Sequence, residues 1–337
     1  MEKEDRPKRK RKRIPGKRVV VTSYSHDRNK IKITEPIVIE FGEFAAKEGV
    51  KLYIVGGYVR DMYLGRPRTD FDFTVVGDSI EFAKKIADKY NSKAVIYPRF
   101  RTALVPIGEN HYEFVGTRKE EYKSNSRKPN VKEGTLQDDL KRRDFTINAM
   151  AVSVNPDTLG ELIDIFEGQK DLEKRILRTP LDPFTTFNDD PLRMMRAARF
   201  AAQINFMIDK RTLAAIKAMA DRISIVSQER ITEEMLKLLG GKKPGKGFKI
   251  LQETGLLKIV FPELDRLKGV EVVSVNGKEY AHKDVFYHTL KVVDHLAEET
   301  DNLWLRFSAL VHDIAKPKTK RFSEGTGWTF HGHEELG

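Results

Sequence analysis

The chain has 337 residues, of which 33% are charged and 39% hydrophobic, with no cysteine and a formal net charge of +11. This length can bury a substantial core and favours two or three domains. The lack of cysteine excludes disulfides and thiolate metal sites and fits a reducing, cytoplasmic environment. No apolar run approaches the roughly 20 residues that span a bilayer, and the charged N-terminus is unlike a secretory signal, so we expect no membrane partner. The positive balance instead indicates a polyanionic partner.

Residues 1–30 are dominated by basic side chains and predict a disordered arm. The arm contains an unbroken run of cations, Lys8, Arg9, Lys10, Arg11, Lys12 and Arg13. Charges this dense repel one another and attract phosphates, with an affinity that falls as salt rises. The run favours RNA contact, while a solubilising tail would have the same composition.

Residues 31–175 alternate between helical and extended patterns, which predicts an α/β domain with a mixed sheet and flanking helices. The predicted helices cover residues 37–46 and 80–90, and the predicted strands cover residues 51–55, 71–76, 103–107 and 112–115. Residues 119–135 are polar and predict a long mobile loop. From Pro191 onwards the pattern is helical, with predicted helices at 192–204, 212–223, 232–239, 248–256 and 286–298, and a break at Gly240–Gly245.

Two acidic residues mark the centre of the α/β region. The first strand ends in Gly56-Gly57, which allows a close backbone approach to a phosphate, and Arg60 follows. Asp70 and Asp72 alternate with phenylalanines in the next strand, so the two carboxylates should share one face. Paired carboxylates repel unless a cation lies between them, and hard oxygen ligands suit Mg²⁺. The pattern predicts a magnesium centre that activates a hydroxyl and stabilises a leaving pyrophosphate, with two ions.

A third carboxylate is expected from a neighbouring strand. Glu113 alternates with Tyr112 and Phe114 and is the best candidate, although an outward surface charge would show the same pattern. Further along, Arg142 and Arg143 can clamp a triphosphate with bidentate geometry. Asp144 could accept a hydrogen bond from a ribose hydroxyl, and Asn148 could donate one to a nucleotide oxygen.

The order of these motifs resembles one family. Gly56-Gly57-x-Val59-Arg60-Asp61, then Asp70-x-Asp72, then the nine residues from Arg142 to Met150 closely resemble class II tRNA nucleotidyltransferases, the CCA-adding enzymes and the related bacterial poly(A) polymerases. The resemblance covers about residues 35–337. It implies a nucleotidyltransferase palm as the head, an all-α neck and body, and the tRNA 3′ end, CTP and ATP as partners.

The resemblance also assigns residues of a helix that selects the nucleotide. Asp190 and Arg193 would read the base edge, and the (i, i+3) spacing would place both on one helix face. Arg196 and Arg199 of the same segment are assigned to nucleotide binding. The family usually has Glu where this chain has Asp189, so Asp189 is left out of the base-reading pair.

Three activities share this framework: CCA addition, A-only addition and poly(A) synthesis. In the family, the loop after the third carboxylate is needed for terminal A addition, and residues 122–134 supply one of full length. Residues 98–103 are closer to the CCA-adding form than to the basic stretch of poly(A) polymerases. CCA addition is therefore favoured. Readings from other classes are a non-catalytic RNA-binding protein, which would need a lost carboxylate, and a phosphohydrolase.

The phosphohydrolase reading comes from histidines near the end of the sequence. His288, His312-Asp313 and His333 resemble the ligands of an HD-type domain, and imidazoles suit a transition metal better than Mg²⁺. Such domains usually supply a further Asp from a later helix, which is not found before Gly337, so we expect weak metal binding. The predicted division is an arm (1–30), a head (31–175), a helical neck and body (176–280) and a partial helical HD-type domain (281–337).

Overall fold

The computed structural model describes residues 30–67, 70–123, 126–269, 271–276, 278–324 and 326–337, with only the backbone described for 120–123 and 126–131. The predicted basic arm, including Lys8 to Arg13, lies outside the described residues except for Lys30, which forms a β-bridge with Glu161. None of the described helices is both long and apolar enough to cross a bilayer.

The head is built on a seven-stranded mixed sheet. Its strands are β1 (Lys51–Val55), β2 (Phe71–Val76), β3 (Val95–Tyr97), β4 (Thr102–Ile107), β5 (Asn110–Gly116), β8 (Ala151–Ser153) and β9 (Leu162–Ile163), and a separate hairpin comprises β6 (Arg118–Lys123) and β7 (Ser126–Glu133). The order across the sheet is β3-β4-β5-β2-β1-β8-β9, with β2 parallel to β5. The head helices are α1 (Pro36–Lys47), α2 (Gly57–Tyr63), α3 (Ser79–Lys89), α4 (Leu136–Lys141) and α5 (Gly168–Lys174).

The two faces of this sheet differ because side chains alternate along each strand. On one face, Phe73 stacks against Phe114 at 5.2 Å between ring centroids, and Phe41 of α1 packs edge-on against both. On the other face, Leu140 of α4 covers Val55. The rest of that second face carries the polar side chains of β2 and β5.

The neck and body follow the head as a mainly helical unit. Its elements are β10 (Ile176–Leu177), α6 (Pro183–Asp189), α7 (Leu192–Gln203), β11 (Met207–Ile208), α8 (Lys210–Met219), α9 (Gln228–Leu239), α10 (Pro244–Glu253), α11 (Leu256–Val260) and α12 (Pro262–Asp265). The last part contains β12 (Val272–Val275), β13 (Lys278–Ala281), α13 (Val285–Glu299), α14 (Leu303–Val311), α15 (Lys316–Thr319), β14 (Arg321–Ser323), β15 (Gly327–Thr329) and α16 (His333–Leu336). One apolar cluster runs through all three parts, from Phe41 through Phe248 to Phe286.

Several predicted elements are wrong in detail. The segment predicted as a loop forms the β6–β7 hairpin, whose backbone bonds need no apolar alternation and so leave no periodic signal. The body is not wholly helical, because β10 pairs with β11 in a two-residue parallel ladder. The last part is not wholly helical either, since β12–β13 and β14–β15 are hairpins. The predicted break ends at Lys243, because proline suits the first turn of α10.

Arg306 of α14 joins the body to the last part of the chain. Its side chain is 1% exposed and donates to the carbonyls of Leu239, Gly241, Ala297 and Thr300 at 2.8–3.2 Å. These carbonyls lie at the ends of α9 and α13, where helices leave acceptors without an internal partner.

We predict that Arg306→Met lowers the free energy of unfolding by about 3–5 kcal/mol, because it leaves several buried carbonyls without a donor. Urea unfolding followed by circular dichroism measures the change. Arg266→Met is the matched control, because Arg266 forms an exposed pair with Glu263 that contributes about 1 kcal/mol or less. Equal losses in both variants would contradict the assignment.

Candidate active site

The predicted carboxylates meet at the centre of the sheet. Asp72 on β2 and Glu113 on β5 lie directly opposite each other in the parallel ladder. Asp70 precedes β2, which begins at Phe71, so its predicted place within the strand is wrong by one residue. Asp70 and Asp72 both line one cavity.

The electrostatics of these groups fit a cation. Burial raises the pKa of Asp72, and Asp70 raises it further against the opposing charge of Arg143. Burial also raises the pKa of Glu113, and the charge of Asp72 adds to that effect. Asp72 and Glu113 lie side by side in the ladder, and two adjacent carboxylates repel each other unless they share a proton or a cation lies between them. An all-oxygen group of this kind fits a hard divalent metal ion.

The turn after β1 needs glycine at its first position. Gly56 has φ +69°, and a Cβ there would lie 3.0 Å from Nη1 of Arg143. Its N–H donates to the Met150 carbonyl at 3.3 Å. From α2, which starts at Gly57, Arg60 reaches Oδ1 of Asn148 at 2.8 Å. The turn thus brings the end of β1, Arg143 and Asn148 together.

Arg142 and Arg143 are held by a residue that the sequence reasoning missed. Both guanidinium groups pair with Asp139, at 2.5 and 3.1 Å, and Asp139 is fully buried. Burial raises the pKa of Asp139, but the two arginines outweigh it, so the pKa lies below its usual value. Arg142 and Arg143 follow Asp139 by three and four residues, and this helical spacing could have predicted the two ion pairs.

Asp144 links the head to the neck. One of its oxygens accepts from Nε and Nη2 of Arg196 at 2.8 and 2.6 Å, and the other accepts from Nδ2 of Asn148 at 3.0 Å. Burial raises the pKa of Asp144, but Arg196 and the hydrogen bonds outweigh it and lower the pKa to about 2. Both oxygens therefore have protein partners, and a ribose contact stays a prediction.

The ion pair continues through a second residue that the sequence reasoning missed. Glu234 of α9 contacts Nη1 of Arg196 at 3.7 Å and Nε of Arg199 at 2.6 Å. Glu234 is buried, and Arg199 also donates to Gln203 at 2.9 Å. We refer to the chain of charges Asp144, Arg196, Glu234 and Arg199 as the head–neck ladder. Its members lie far apart in the sequence, so spacing alone gave no signal.

The two predicted base-reading residues do not share a helix face. Asp190 lies between the end of α6 at Asp189 and the start of α7 at Leu192, so of the two residues only Arg193 is helical. Asp190 accepts from the Leu192 N–H and pairs with Arg230 at 3.2 Å, while Arg193 donates to the Arg142 carbonyl at 2.7 Å. Both side chains nevertheless line the same cavity.

This cavity has a volume of about 640 Å³ and lies between head and neck. All the predicted nucleotide-binding residues line it: Gly56, Gly57, Arg60, Arg143, Asp144, Asn148, Asp190, Arg193, Arg196 and Arg199. The lining also includes Arg142, which was predicted to clamp a triphosphate, and four residues that were not assigned to the site: Phe200, Gln203, Arg230 and Lys237. Its eight cationic side chains outnumber its four aspartates, so the cavity can hold a polyphosphate.

Three of the four predicted ligands of the second metal site come together, and His333 is not part of that group. Ligand atoms of His288, His312 and Asp313 lie within 4.8 Å of one another. Nε2 of His312 lies 3.2 Å and Nε2 of His333 lies 3.5 Å from the Asp313 carboxylate. Backbone carbonyls lie 2.8 Å from Nδ1 of both histidines, an orientation typical of metal-binding imidazoles. Lys316 pairs with Asp313 at 2.8 Å and would compete with a cation.

Comparison with known proteins agrees with this arrangement. Residues 52–178 match the poly A polymerase head domain, residues 205–268 the probable RNA and SrmB-binding site of polymerase A, and residues 285–337 the HD domain. The multifunctional CCA protein of Nitrosococcus oceani is 37% identical over 86% of this chain and 68% of its own length. The chain belongs to the class II tRNA nucleotidyltransferase family. It spans 64% of the multifunctional CCA protein of Paraburkholderia phymatum, which is also 37% identical over 80% of this chain.

Solved structures of the family have the same fold. A tRNA nucleotidyltransferase complexed with a primer tRNA and an incoming ATP analogue aligns with a TM-score of 0.64 and 31% identity, over 80% of this chain and 75% of its own. The Thermotoga maritima CCA-adding enzyme complexed with tRNA aligns with a TM-score of 0.65 and 26% identity, over 83% and 63%. The predicted fold class, a head with a mixed sheet followed by a mainly helical neck and body and an HD domain, is confirmed, while the predicted domain boundaries stay predictions.

The head–neck ladder predicts a pH dependence of stability. Because the pKa of Asp144 is about 2 in the folded chain and near 3.8 when unfolded, its ionised form stabilises the fold above about pH 4 and loses that effect as pH falls towards 2. The difference in unfolding free energy between wild type and Asp144→Asn should shrink by about 2 kcal/mol between pH 5 and pH 2. Urea titrations measure it, with exposed Asp157→Asn as the control. A constant difference would contradict the role of Asp144.

The HD-type group predicts metal binding. We expect one Co²⁺ per chain by titration calorimetry and visible absorbance, because imidazoles and a carboxylate suit this ion. His312→Ala should weaken binding at least about tenfold. His331→Ala is the matched control, since His331 is exposed and lies outside the group. Equal Co²⁺ affinity of the His312→Ala variant and wild type would show that the group is not the site.

Proposed function

We propose that this chain adds CCA to the 3′ end of tRNA from CTP and ATP and releases pyrophosphate. The observation that carries the proposal is the head–neck cavity. It brings Asp70 and Asp72 together with an excess of guanidinium groups and the pair Asp190 and Arg193. The relatives are named multifunctional CCA proteins, and one solved relative holds a primer tRNA and an ATP analogue.

The acidic and basic residues of the cavity have different proposed roles. Asp70 and Asp72 would hold Mg²⁺, which when bound lowers the pKa of a hydroxyl and neutralises charge on a phosphate. Arg143 and its neighbours Arg60 and Arg142 bind the triphosphate and orient its α-phosphate towards the carboxylates. Glu113, with its raised pKa, lies beside Asp72 and accepts the proton that the tRNA 3′-hydroxyl loses as it attacks in line.

Base selection rests on the junction of α6 and α7. Asp190 offers acceptor oxygens and Arg193 offers donors, and together they can match the edge of cytosine or adenine. Arg230 pairs with Asp190, and the Arg142 carbonyl accepts a hydrogen bond from Arg193, so base binding exchanges these contacts for hydrogen bonds to the base. A-only addition and poly(A) synthesis would use the same groups but would accept ATP alone.

A phosphohydrolase activity is the second candidate. It is favoured by the His288, His312 and Asp313 group, which borders a cavity of about 560 Å³. The third candidate, a non-catalytic RNA-binding protein, is disfavoured because it would need a lost carboxylate, whereas Asp70 and Asp72 line the cavity and Glu113 lies opposite Asp72 in the ladder.

The two candidate activities predict different essential residues. Incubated with tRNA lacking its 3′ CCA, Mg²⁺, CTP and ATP, the wild-type protein should add two C residues and then one A, resolved on a sequencing gel. Asp70→Ala should lower the rate at least about a thousandfold, because it removes a ligand of the metal that lowers the barrier. His312→Ala is the matched control and should extend tRNA at the wild-type rate. Addition of a single A, and only to tRNA that already ends in CC, would indicate A-only addition instead. Long A tails would indicate poly(A) synthesis.

A further inference from the structure

The face of the sheet that carries the catalytic carboxylates continues to an open edge. Strand pairing places Asp72, Glu113, Leu104 and Val95 opposite one another on β2, β5, β4 and β3. Directly paired residues share a face, so Val95 lies on the catalytic face. Tyr97 is two residues further along β3 and lies on the same face. Helix α4 covers the opposite half of this face, where Leu140 packs against Val55 and Ala151.

Large apolar side chains are exposed at this edge. Val95 is 47% exposed, Tyr97 48% and Phe100 43%. The guanidinium of Arg99 lies over the Phe100 ring at 5.9 Å from its centroid. We refer to Val95, Tyr97, Arg99 and Phe100 as the edge shelf. An apolar surface with aromatic rings beside a cation has the composition of a single-stranded nucleic acid site.

We propose that the edge shelf binds the unpaired 3′-terminal nucleotides of the RNA primer, with a base stacked on Tyr97 and a phosphate near Arg99. This inference rests on the proposed function and adds a primer contact to it. Val95 is two strands from Glu113, which is about 10 Å. Three stacked nucleotides at about 3.4 Å each cover that distance, so the bases preceding the reacting nucleotide can reach the shelf.

A second copy of the chain fits this edge less well. β3 has only three residues, and Pro98 follows it directly. Arg101 then adopts φ +51° and turns the chain into β4. A short edge strand that ends in proline offers few backbone groups for pairing. Continuity with the catalytic carboxylates and the cation beside the rings favours single-stranded RNA.

The test is a kinetic comparison of Tyr97→Ala with wild type on tRNA lacking CCA. We expect the KM for tRNA to rise about tenfold through loss of one stacking contact, while the KM for CTP and kcat stay within about twofold. Tyr97→Phe keeps the aromatic ring and should have the wild-type KM for tRNA. A wild-type KM in this variant would show that the effect of Tyr97→Ala comes from loss of the ring. Trp304→Ala is the matched control, because Trp304 is an exposed aromatic residue of α14, and its KM for tRNA should equal that of wild type.

The other outcomes distinguish a failure of the edge-shelf proposal from a failure of the proposed function. An unchanged KM for tRNA in Tyr97→Ala, with an active wild type, overturns the shelf and leaves the proposed function standing. If wild type adds no nucleotide, the proposed function fails, and fluorescence anisotropy with a labelled RNA hairpin carrying a single-stranded CC end decides the shelf. An affinity at least about tenfold weaker in Tyr97→Ala supports it, and equal affinity overturns it. A wild-type dimer that Tyr97→Ala converts to monomer, with tRNA affinity unchanged, identifies a second copy as the occupant and also overturns it.

Discussion

The ion pair between Asp144 and Arg196 fixes how the head meets the neck. Asp144 follows α4 in the head, and Arg196 lies in α7 of the neck, so their contact closes the cavity from two separate parts of the fold. Glu234 of α9 extends the pairing from Arg196 to Arg199 within the neck. Both acids are buried, and a buried acid without its arginine would be costly. The relative position of head and neck is therefore set by charge as well as by apolar packing.

Ion pairs of this kind also restrain the many cationic side chains that line the cavity. Eight cations line one cavity, and unrestrained they would repel one another and move apart. Asp139 holds Arg142 and Arg143 from beneath the cavity, and Glu234 holds Arg196 and Arg199 from the neck side. Each acid restrains two arginines, which leaves a net positive surface for a polyphosphate. Asp70 and Asp72, the proposed metal ligands, line the same cavity as these arginines, so the proposed metal and phosphate sites adjoin.

Local patterns in the sequence predicted the features of the site that depend on strand alternation and on turn chemistry. Alternation with aromatic residues predicted one face for Asp70 and Asp72 and made Glu113 the best candidate for a third carboxylate, and only the strand register places Glu113 opposite Asp72. Gly56 marked a turn that does need glycine. Resemblance to the family supplied Asp190 and Arg193. Asp139 was missed although helical spacing pointed to it, and Glu234 was missed because its partners are about 35 residues away. The β6–β7 hairpin and the strand pairs after the head were missed because backbone hydrogen bonds hold them without an apolar period. The start of α7 at Leu192 was predicted, but the family's (i, i+3) spacing was taken as helical across Pro191, so Asp190 was wrongly placed on the same helix face as Arg193.

The account depends on the head–neck ladder acting as one unit that shapes the nucleotide site. A double-mutant cycle with Asp144→Asn, Arg196→Met and the double variant tests this most directly, with unfolding free energy and CTP affinity measured on the same proteins. The account predicts a coupling of at least about 1 kcal/mol in stability, and CTP affinity in the double variant that is no weaker than in the worse single variant. Additive effects on both quantities would contradict it, because the two residues would then act independently.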